Sequence, residues 1–530
     1  MSAPLELSTD VLVIGGGPAA AWAALHARQG GAEVILVDKG YCGTSGATAP
    51  SGTGVWYVAP DPELRGAAKA SREALGGYLA DHSWMDRVLD QTYLNMNRLA
   101  TEGRYPFPID PETGRENRTG VQGPEYMRRM RAWITRAGVT ILDHSPALEL
   151  LVEPDGSVRG AAGYQRHHHR DYSITSGAVV LASGGCAFLS RALGTNVDTG
   201  DGTLMAAEVG AQLSGMEFSN AYGIAAAGST VTKTAYYGYA TFFHDDGRVL
   251  EGAGSSGGRS VIARTLLSEK VFAQLDRADE EVQRRMRLGQ PNFFLQFDRR
   301  GINPFTDRFE VDLIAEGTVR GTGGVDLVDD TCATSVRGLY AAGDAATRER
   351  ICGGFTGGGS HNSAWAISSG TWAGSAAAQH ALAQSPVGQH DLIGAGRAGL
   401  RPTSRPSLQP DEVMAAARQQ LLPLRKNYLR HGDRMVEAVN ELDTLWAGLS
   451  ADLGPLAGPD RVRARQAAAV TAVGRWMYRS ALSRTETRGM SKREDHPDQD
   501  PRQHHHILSG GLDKVWTAPR ATAPTLAHAS

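Results

Sequence analysis

Cysteine is scarce in this chain of 530 residues: Cys42, Cys186, Cys332 and Cys352 complete the set, and none stands in a C-x-x-C spacing. That rules out a disulfide framework and any zinc or iron–sulfur ligand set drawn from these cysteines. Apolar runs are short as well. None approaches the roughly 18 residues of a membrane-spanning helix, so no direct membrane insertion is expected. The segment Met1 to Asp10 has no basic stretch, no apolar core and no twin arginine, so no export signal is expected and a reducing cytoplasm is the expected location. Nor does one charge dominate: 54 Lys and Arg against 57 Asp and Glu leave a net charge of −3 and no basic footprint for nucleic acid.

What the chain has in quantity is glycine, 64 residues clustered in turns beside apolar strands. The first cluster follows an apolar run, Val11-Leu12-Val13-Ile14-Gly15-Gly16-Gly17-Pro18-Ala19-Ala20, and leads into a helix-like Ala21–Gln29. A second apolar run, Val34–Val37, ends at Asp38. The order of strand, turn, helix, strand and terminal acid is that of a dinucleotide-binding unit. Gly15 permits the tight turn, Gly17 lets the backbone approach a pyrophosphate, and Ala20 is the small residue where helix packs on strand. Free N–H groups at the helix start favour the phosphates, and Asp38 is placed to accept from a ribose hydroxyl.

Length and a 41% hydrophobic content predict two or three domains. Residues 43–54 are small and Gly-rich, suited to a loop along a flat ligand. Residues 61–145 read as mainly helical, and Ala147–Gly163 with Tyr172–Leu181 alternate like a hairpin returning to Ala182-Ser183-Gly184-Gly185. The pattern changes over residues 221–327, which mix strands with a helical run at Ser260–Arg277 and read as an insertion. Gly338–Asp344 resumes the strand-to-turn style, and Ser360–Ala378 is an Ala, Ser and Gly helix. The nucleotide domain is therefore expected in two parts, 1–220 and 328–383. A linker over 384–410, a helical bundle over 411–484 and a polar tail over 485–530 packed on the rest complete the expectation.

These stations, in this order, resemble the flavoprotein subunits of the succinate dehydrogenase/fumarate reductase superfamily, which includes L-aspartate oxidase and the adenylylsulfate reductase α subunit. The resemblance runs through Gly15–Ala20, Asp38-Lys39, Ser45–Gly52, Ala182–Gly185, Thr199–Gly202, Met216-Glu217-Phe218, Arg259–Arg264, Gly338–Asp344, and Glu486–Gly489 with Arg493–Pro497. It implies an α/β fold: a FAD-binding Rossmann-like domain of the glutathione-reductase type, an inserted α+β capping domain and a C-terminal helical domain. It also implies which residues hold FAD. Gly15, Gly17, Pro18, Ala19, Ala20, Asp38 and Lys39 form the nucleotide turn and its acid. Thr44, Ser45, Gly46, Thr48, Ser51 and Gly52 run along the flavin. Ala182, Ser183, Gly184, Asp201, Asp344, Asn362 and Ser363 complete the cradle. Members with covalent FAD place a His where this chain has Gly46, so non-covalent FAD is expected.

The same resemblance puts Arg259 at the position of a capping-domain Arg that moves a proton opposite the flavin. The neighbouring family Asp is Ser260 here, and two readings of Arg259 stand open: proton transfer, or cap closure and anion binding. The dicarboxylate clamp departs further. Tyr222 stands near one substrate His, Val319-Arg320-Gly321-Thr322 replaces a second His motif, and Gly357–Ser363 lacks the substrate-binding Arg. Losing several charge-assisted bonds, each worth roughly 1.5–3 kcal/mol, argues against succinate, fumarate or aspartate as substrate. Tyr222, Arg320 and His361 are the candidates to face the flavin beside Arg259; the competing reading makes Tyr222 core and His361 the start of a helix.

The triplets His167–His169 and His504–His506 are read as solvated or locally hydrogen-bonded, with no metal. Arg488, Arg493, Glu494 and Asp495 suit an interdomain ion-pair network. The functional expectation is an FAD-dependent oxidoreductase that transfers hydride at flavin N5 to or from a C–C or C–N bond of a small substrate. The alternative is the flavoprotein subunit of an electron-transfer complex with a separate iron–sulfur protein. A non-enzymatic FAD-binding module ranks last.

Overall fold

The computed structural model describes residues 3–110, 113–356, 360–384, 392–401, 409–451, 456 and 458–520. Its centre is an eight-stranded sheet. The strand Leu5–Ile14 lies between Val34–Val37 and Arg170–Leu181 and is parallel to both, and Thr140–Leu142 continues the parallel run beyond Val34–Val37. Strands covered on both faces are continuous apolar runs, and Val11 to Ile14 and Val34 to Val37 are all buried. On the other side Ala147–Val152 and Val158–Gln165 join by antiparallel pairing, while Leu339–Ala341 pairs in parallel with the end of Arg170–Leu181.

The helix Pro18–Gln29 begins with Pro at its first turn, where no N–H is needed, and buries an alanine-rich face. It packs closely on Ser360–Leu382. A Cβ at Gly370 would stand 2.5 Å from the Ala19 carbonyl oxygen and one at Gly374 would stand 2.2 Å from that of Ala23. These two glycines therefore set how near the helices come.

A separate antiparallel sheet, ordered Ala221–Ala226, Phe309–Glu316, Val271–Gln274, Thr241–Phe243, forms within the segment expected as an insertion. It has its own aromatic core, including Phe242, Phe293, Phe297 and Phe309. The helical run expected over Ser260–Arg277 is shorter: the helix is Gly258–Thr265, and Val271–Gln274 is a strand. Pairing of Val271 and Ala273 with Val311 and Phe309 overrides the local helical pattern. The described residues of 102–119, inside the stretch read as mainly helical, likewise carry no helix beyond the end of His82–Thr101.

Helices Pro410–Leu421, Gly432–Ala451 and Gly458–Ser483 pack together through Leu421, Leu442, Val473 and Trp476. The C-terminal segment contributes strands as well as packing. Ile507–Gly510 pairs with Leu213–Ser214 and with Trp516–Pro519, building a third sheet. Among the described residues no helix is long and apolar enough to cross a membrane.

Candidate active site

A cavity of about 260 Å³ lies at the carboxyl ends of the parallel strands, where ligands bind in open α/β sheets. Its floor is the turn after Leu5–Ile14. Gly15 has φ +127°, and a Cβ there would stand 2.2 Å from the Ala182 carbonyl oxygen, so no other residue fits. A Cβ at Gly17 or Gly46 would meet nothing within 4 Å. Both glycines line the cavity, and their bare backbone leaves room for a ligand. Pro18 and Ala19 also line it, while Ala20 is fully buried in the core.

Asp38 is buried at the end of Val34–Val37. Its Oδ1 accepts from the Gly40 amide at 3.2 Å, while Oδ2 has no hydrogen-bond partner among the described residues. Burial pushes its carboxyl up to about 6, against the Gly40 hydrogen bond. Lys39 donates to Asp201 Oδ2 and Thr199 Oγ1, each at 2.5 Å, and so ties the floor to the helix Asp201–Glu208. Of the loop, Ser45, Gly46, Thr48 and Gly52 line the cavity. Thr44 and Ser51 are not on its wall: Thr44 is exposed, and Ser51 donates to the Ala47 carbonyl at 3.1 Å. Ala182, Ser183, Gly184, Asp201, Asp344, Asn362 and Ser363 are brought to the cavity. Asp344 pairs with Arg348, and Ser363 Oγ donates to the Gly54 carbonyl at 2.5 Å.

Further residues complete the wall. Lys233, Thr234 and Ala235 close the cavity from the second sheet's side, and Asp198 lines it from the segment before Thr199. Nothing in the local pattern of Lys233 marks it; its place depends on a partner 83 residues away, Glu316. Glu316 is fully buried and receives Lys233 and Arg320, each at 3.1 Å, and the Thr232 hydroxyl at 2.7 Å. Burial works to raise this carboxyl, but Lys233, Arg320 and Thr232 outweigh it and hold it at about 2. Arg320 itself lines the cavity.

Arg259 lies in the first turn of Gly258–Thr265, close enough to Arg320 for the two charges to repel, but is not on the cavity wall. Its guanidinium makes no hydrogen bond or ion pair with a described residue. Burial, then Arg320, lower it to about 10. The adjacent Ser260 hydroxyl is 3.1 Å from the Tyr428 hydroxyl.

Tyr222 does not reach the cavity. Its hydroxyl donates to the Leu422 carbonyl at 2.9 Å and its ring meets Tyr428 edge-on at 5.5 Å, because its strand turns this side chain toward the helical bundle. His361 is also turned away. It is buried, packs on Trp56 at 4.1 Å, and lines a second small cavity with Arg72, Phe355 and Thr356. Gly357–Gly359 lie outside the described residues.

His167 stacks on His144 at 4.1 Å, His504 Nε2 meets the Tyr78 carbonyl at 2.6 Å, and His506 pairs with Glu349 at 3.0 Å. Among the described residues no group of three or more His, Cys, Asp or Glu gathers to hold a metal. Near the C-terminus Arg488 pairs with Glu486 at 2.6 Å, Arg493 with Asp495 at 2.8 Å, and Glu494 with Arg434. Arg484 joins Glu486 to Glu217, the acid of the Met216-Glu217-Phe218 motif, at 2.9 and 2.8 Å.

The cavity fits a dinucleotide on its own chemistry: bare glycines at a helix start, and buried polar oxygens on Asp38, Asp198 and Asn362 that have no partner among the described residues. Comparison with known proteins agrees. A sequence profile described as FAD binding domain matches residues 10–222, and one described as fumarate reductase flavoprotein C-term matches residues 419–516. The chain is similar to the probable fumarate reductase Ifc3 of Shewanella frigidimarina, 28% identical over a stretch that spans only 41% of each chain. It is similar over nearly its whole length to a fumarate reductase (CoM/CoB) subunit from Methanothermobacter marburgensis, 25% identical over 94% of this chain and 96% of the other. Its fold is that of E. coli quinol fumarate reductase FrdA, with a TM-score of 0.82 at 20% identity over 97% of both chains. The chain thus belongs to the FAD-dependent succinate dehydrogenase/fumarate reductase flavoprotein superfamily and is an FAD-dependent oxidoreductase.

Proposed function

We propose that this protein oxidises or reduces a C–C or C–N bond of a small organic substrate, holding FAD without a covalent link. Bound FAD supplies a two-electron hydride acceptor or donor. The observation that carries the reading is the Arg259 guanidinium, without a partner among the described residues, beside Arg320, whose own position on the cavity wall is fixed by buried Glu316. Arg320 presents a cation to the substrate without free rotation, since Glu316 holds it. Arg259 stays protonated at neutral pH and binds an anionic or electron-rich group. Its lowered proton affinity also brings it nearer to a usable proton donor than an exposed arginine. Ser260 and Tyr428 place two hydroxyls near this guanidinium, a polar route where the family carries an Asp.

The cationic strip continues to Arg72, on the second small cavity, whose Thr356 hydroxyl is buried and has no partner among the described residues. These groups favour a substrate with one acidic end and a hydrogen-bonding function over a symmetrical dicarboxylate. Anaerobic mixing of the yellow holoprotein with carboxylates, amino acids and cyclic ketones, read as flavin bleaching, tests this. Bleaching by succinate as fast as by any other compound would overturn it.

A second reading makes the chain the flavin-bearing subunit of an electron-transfer complex. The near-full-length similarity to a protein named as a subunit supports it. Native isolation distinguishes the two: co-purification with an iron–sulfur protein favours the complex, and peroxide formation by the chain alone favours a free-standing enzyme.

A further inference from the structure

Asp198 stands out among the cavity's charged groups because neither of its carboxyl oxygens has a hydrogen-bond or ion-pair partner among the described residues, whereas each of the others has at least one. Lys39 is engaged by Asp201, Arg348 by Asp344, and Glu316 takes both Lys233 and Arg320. Asp38 accepts from the backbone at Gly40. Asp198 is 4% exposed, lines the cavity, and its Oδ2 has no hydrogen-bond partner among the described residues. It is held rigidly: its amide donates to the Thr195 carbonyl at 3.1 Å, and its carbonyl accepts from Ala187 at 2.9 Å. The side chain lies against Gly184, where a Cβ would stand 2.6 Å from Oδ1. A buried anion fixed in this way, with no ion-pair partner among the described residues and a dianionic pyrophosphate to accommodate, is unfavourable.

We infer that Asp198 binds FAD as a neutral carboxylic acid, giving the dinucleotide a hydrogen bond and tying its uptake to one proton. Burial first and the Asp344 carboxylate second push the Asp198 carboxyl up, Lys233 and Lys39 pull it down, Asp38 adds a smaller push upward, and the balance lies at about 8. At neutral pH the proton is therefore in place before the cofactor arrives. Once it is lost, Oδ2 changes from a donor into a second acceptor with a full charge. FAD prefers the protonated site, so its affinity is constant below the free site's titration and declines above it.

The test is FAD binding to apoprotein, followed by quenching of flavin fluorescence from about pH 7 to pH 9, above the Asp38 titration and below ionisation of the flavin imide. Wild-type affinity is expected to break near pH 8 and then to fall toward tenfold per pH unit. Asp198→Asn, which keeps the shape and a donor but cannot ionise, is expected to bind with no break. A wild-type profile without the break, or a variant that retains it, would overturn the inference. Calorimetry of the wild type in buffers of different ionisation enthalpy gives a check that needs no variant. Uptake approaching one proton per FAD at about pH 8.5 supports the inference, and none at that pH overturns it.

Discussion

The floor of the cavity, from Gly15 to Asp38, works through backbone shape, whereas its cap side, from Lys233 to Arg320, works through charged side chains. On the floor a glycine at φ +127° and a helix start present N–H groups and empty space, and one short local stretch supplies all of it. On the cap side Glu316 gathers Lys233 and Arg320 from separate segments and holds them against the cavity. The floor therefore has almost no freedom to vary, while the cap side depends on partners that separate segments bring together. Tyr222 illustrates this: near a substrate-binding position in the motif, it spends its hydroxyl on the Leu422 carbonyl.

The largest break in this comparison is Gly15→Ala. Its Cβ would overlap the Ala182 carbonyl in a backbone region unsuited to alanine, so loss of at least ~2 kcal/mol of stability and of FAD retention is expected. Denaturant unfolding and the flavin-to-protein absorbance ratio measure both. Arg259→Ala should act in the opposite sense, leaving FAD content intact while lowering substrate-dependent flavin reduction by about 100-fold or more. Equal loss of FAD and turnover would remove Arg259 from the chemistry.

Glu316→Gln strips the charge from a buried carboxylate between two cations, and a cost of about 3 kcal/mol is expected, with slower flavin reduction as Arg320 and Lys233 lose their anchor. Acid should separate the two sides further. Burial first, then Arg98, lower His26 to about 4, below its ordinary value of 6.5. The unfolded chain takes up that proton first, so stability falls as pH drops from about 6.5 toward 4, and His26→Gln should flatten that limb. The Glu316 contribution persists above its ordinary value of 4.5 and is lost only as pH falls toward 2. Thermal unfolding across this range reads both steps. The smallest effect is expected for Tyr222→Phe: about 1 kcal/mol for one hydrogen bond, with turnover unchanged.

The local pattern carried the nucleotide unit because its requirements are local. A left-handed turn needs Gly15, a close approach needs Gly17, and a buried parallel strand needs an unbroken run such as Val11 to Ile14. Chain order then gave the FAD fold and its family. The substrate side was less legible. Arg320 is identifiable by its place in a motif and Asp198 adjoins the Thr199–Gly202 station, but Lys233 carries no signal in its neighbours, and motif position alone leaves His361 and Tyr222 open between a place at the flavin and a helix start and core position. Strand Val271–Gln274 was hidden for a related reason, since only its partner Phe309–Glu316 makes it a strand.

By itself, then, the sequence determined the cofactor and the turn that holds it, because backbone conformation over a few residues is set by those residues. Tertiary structure alone decided which charges face the cavity. A side chain's direction and ionisation depend on surroundings far away in the chain, as Glu316 does for Lys233 and as burial and Asp344 do for Asp198.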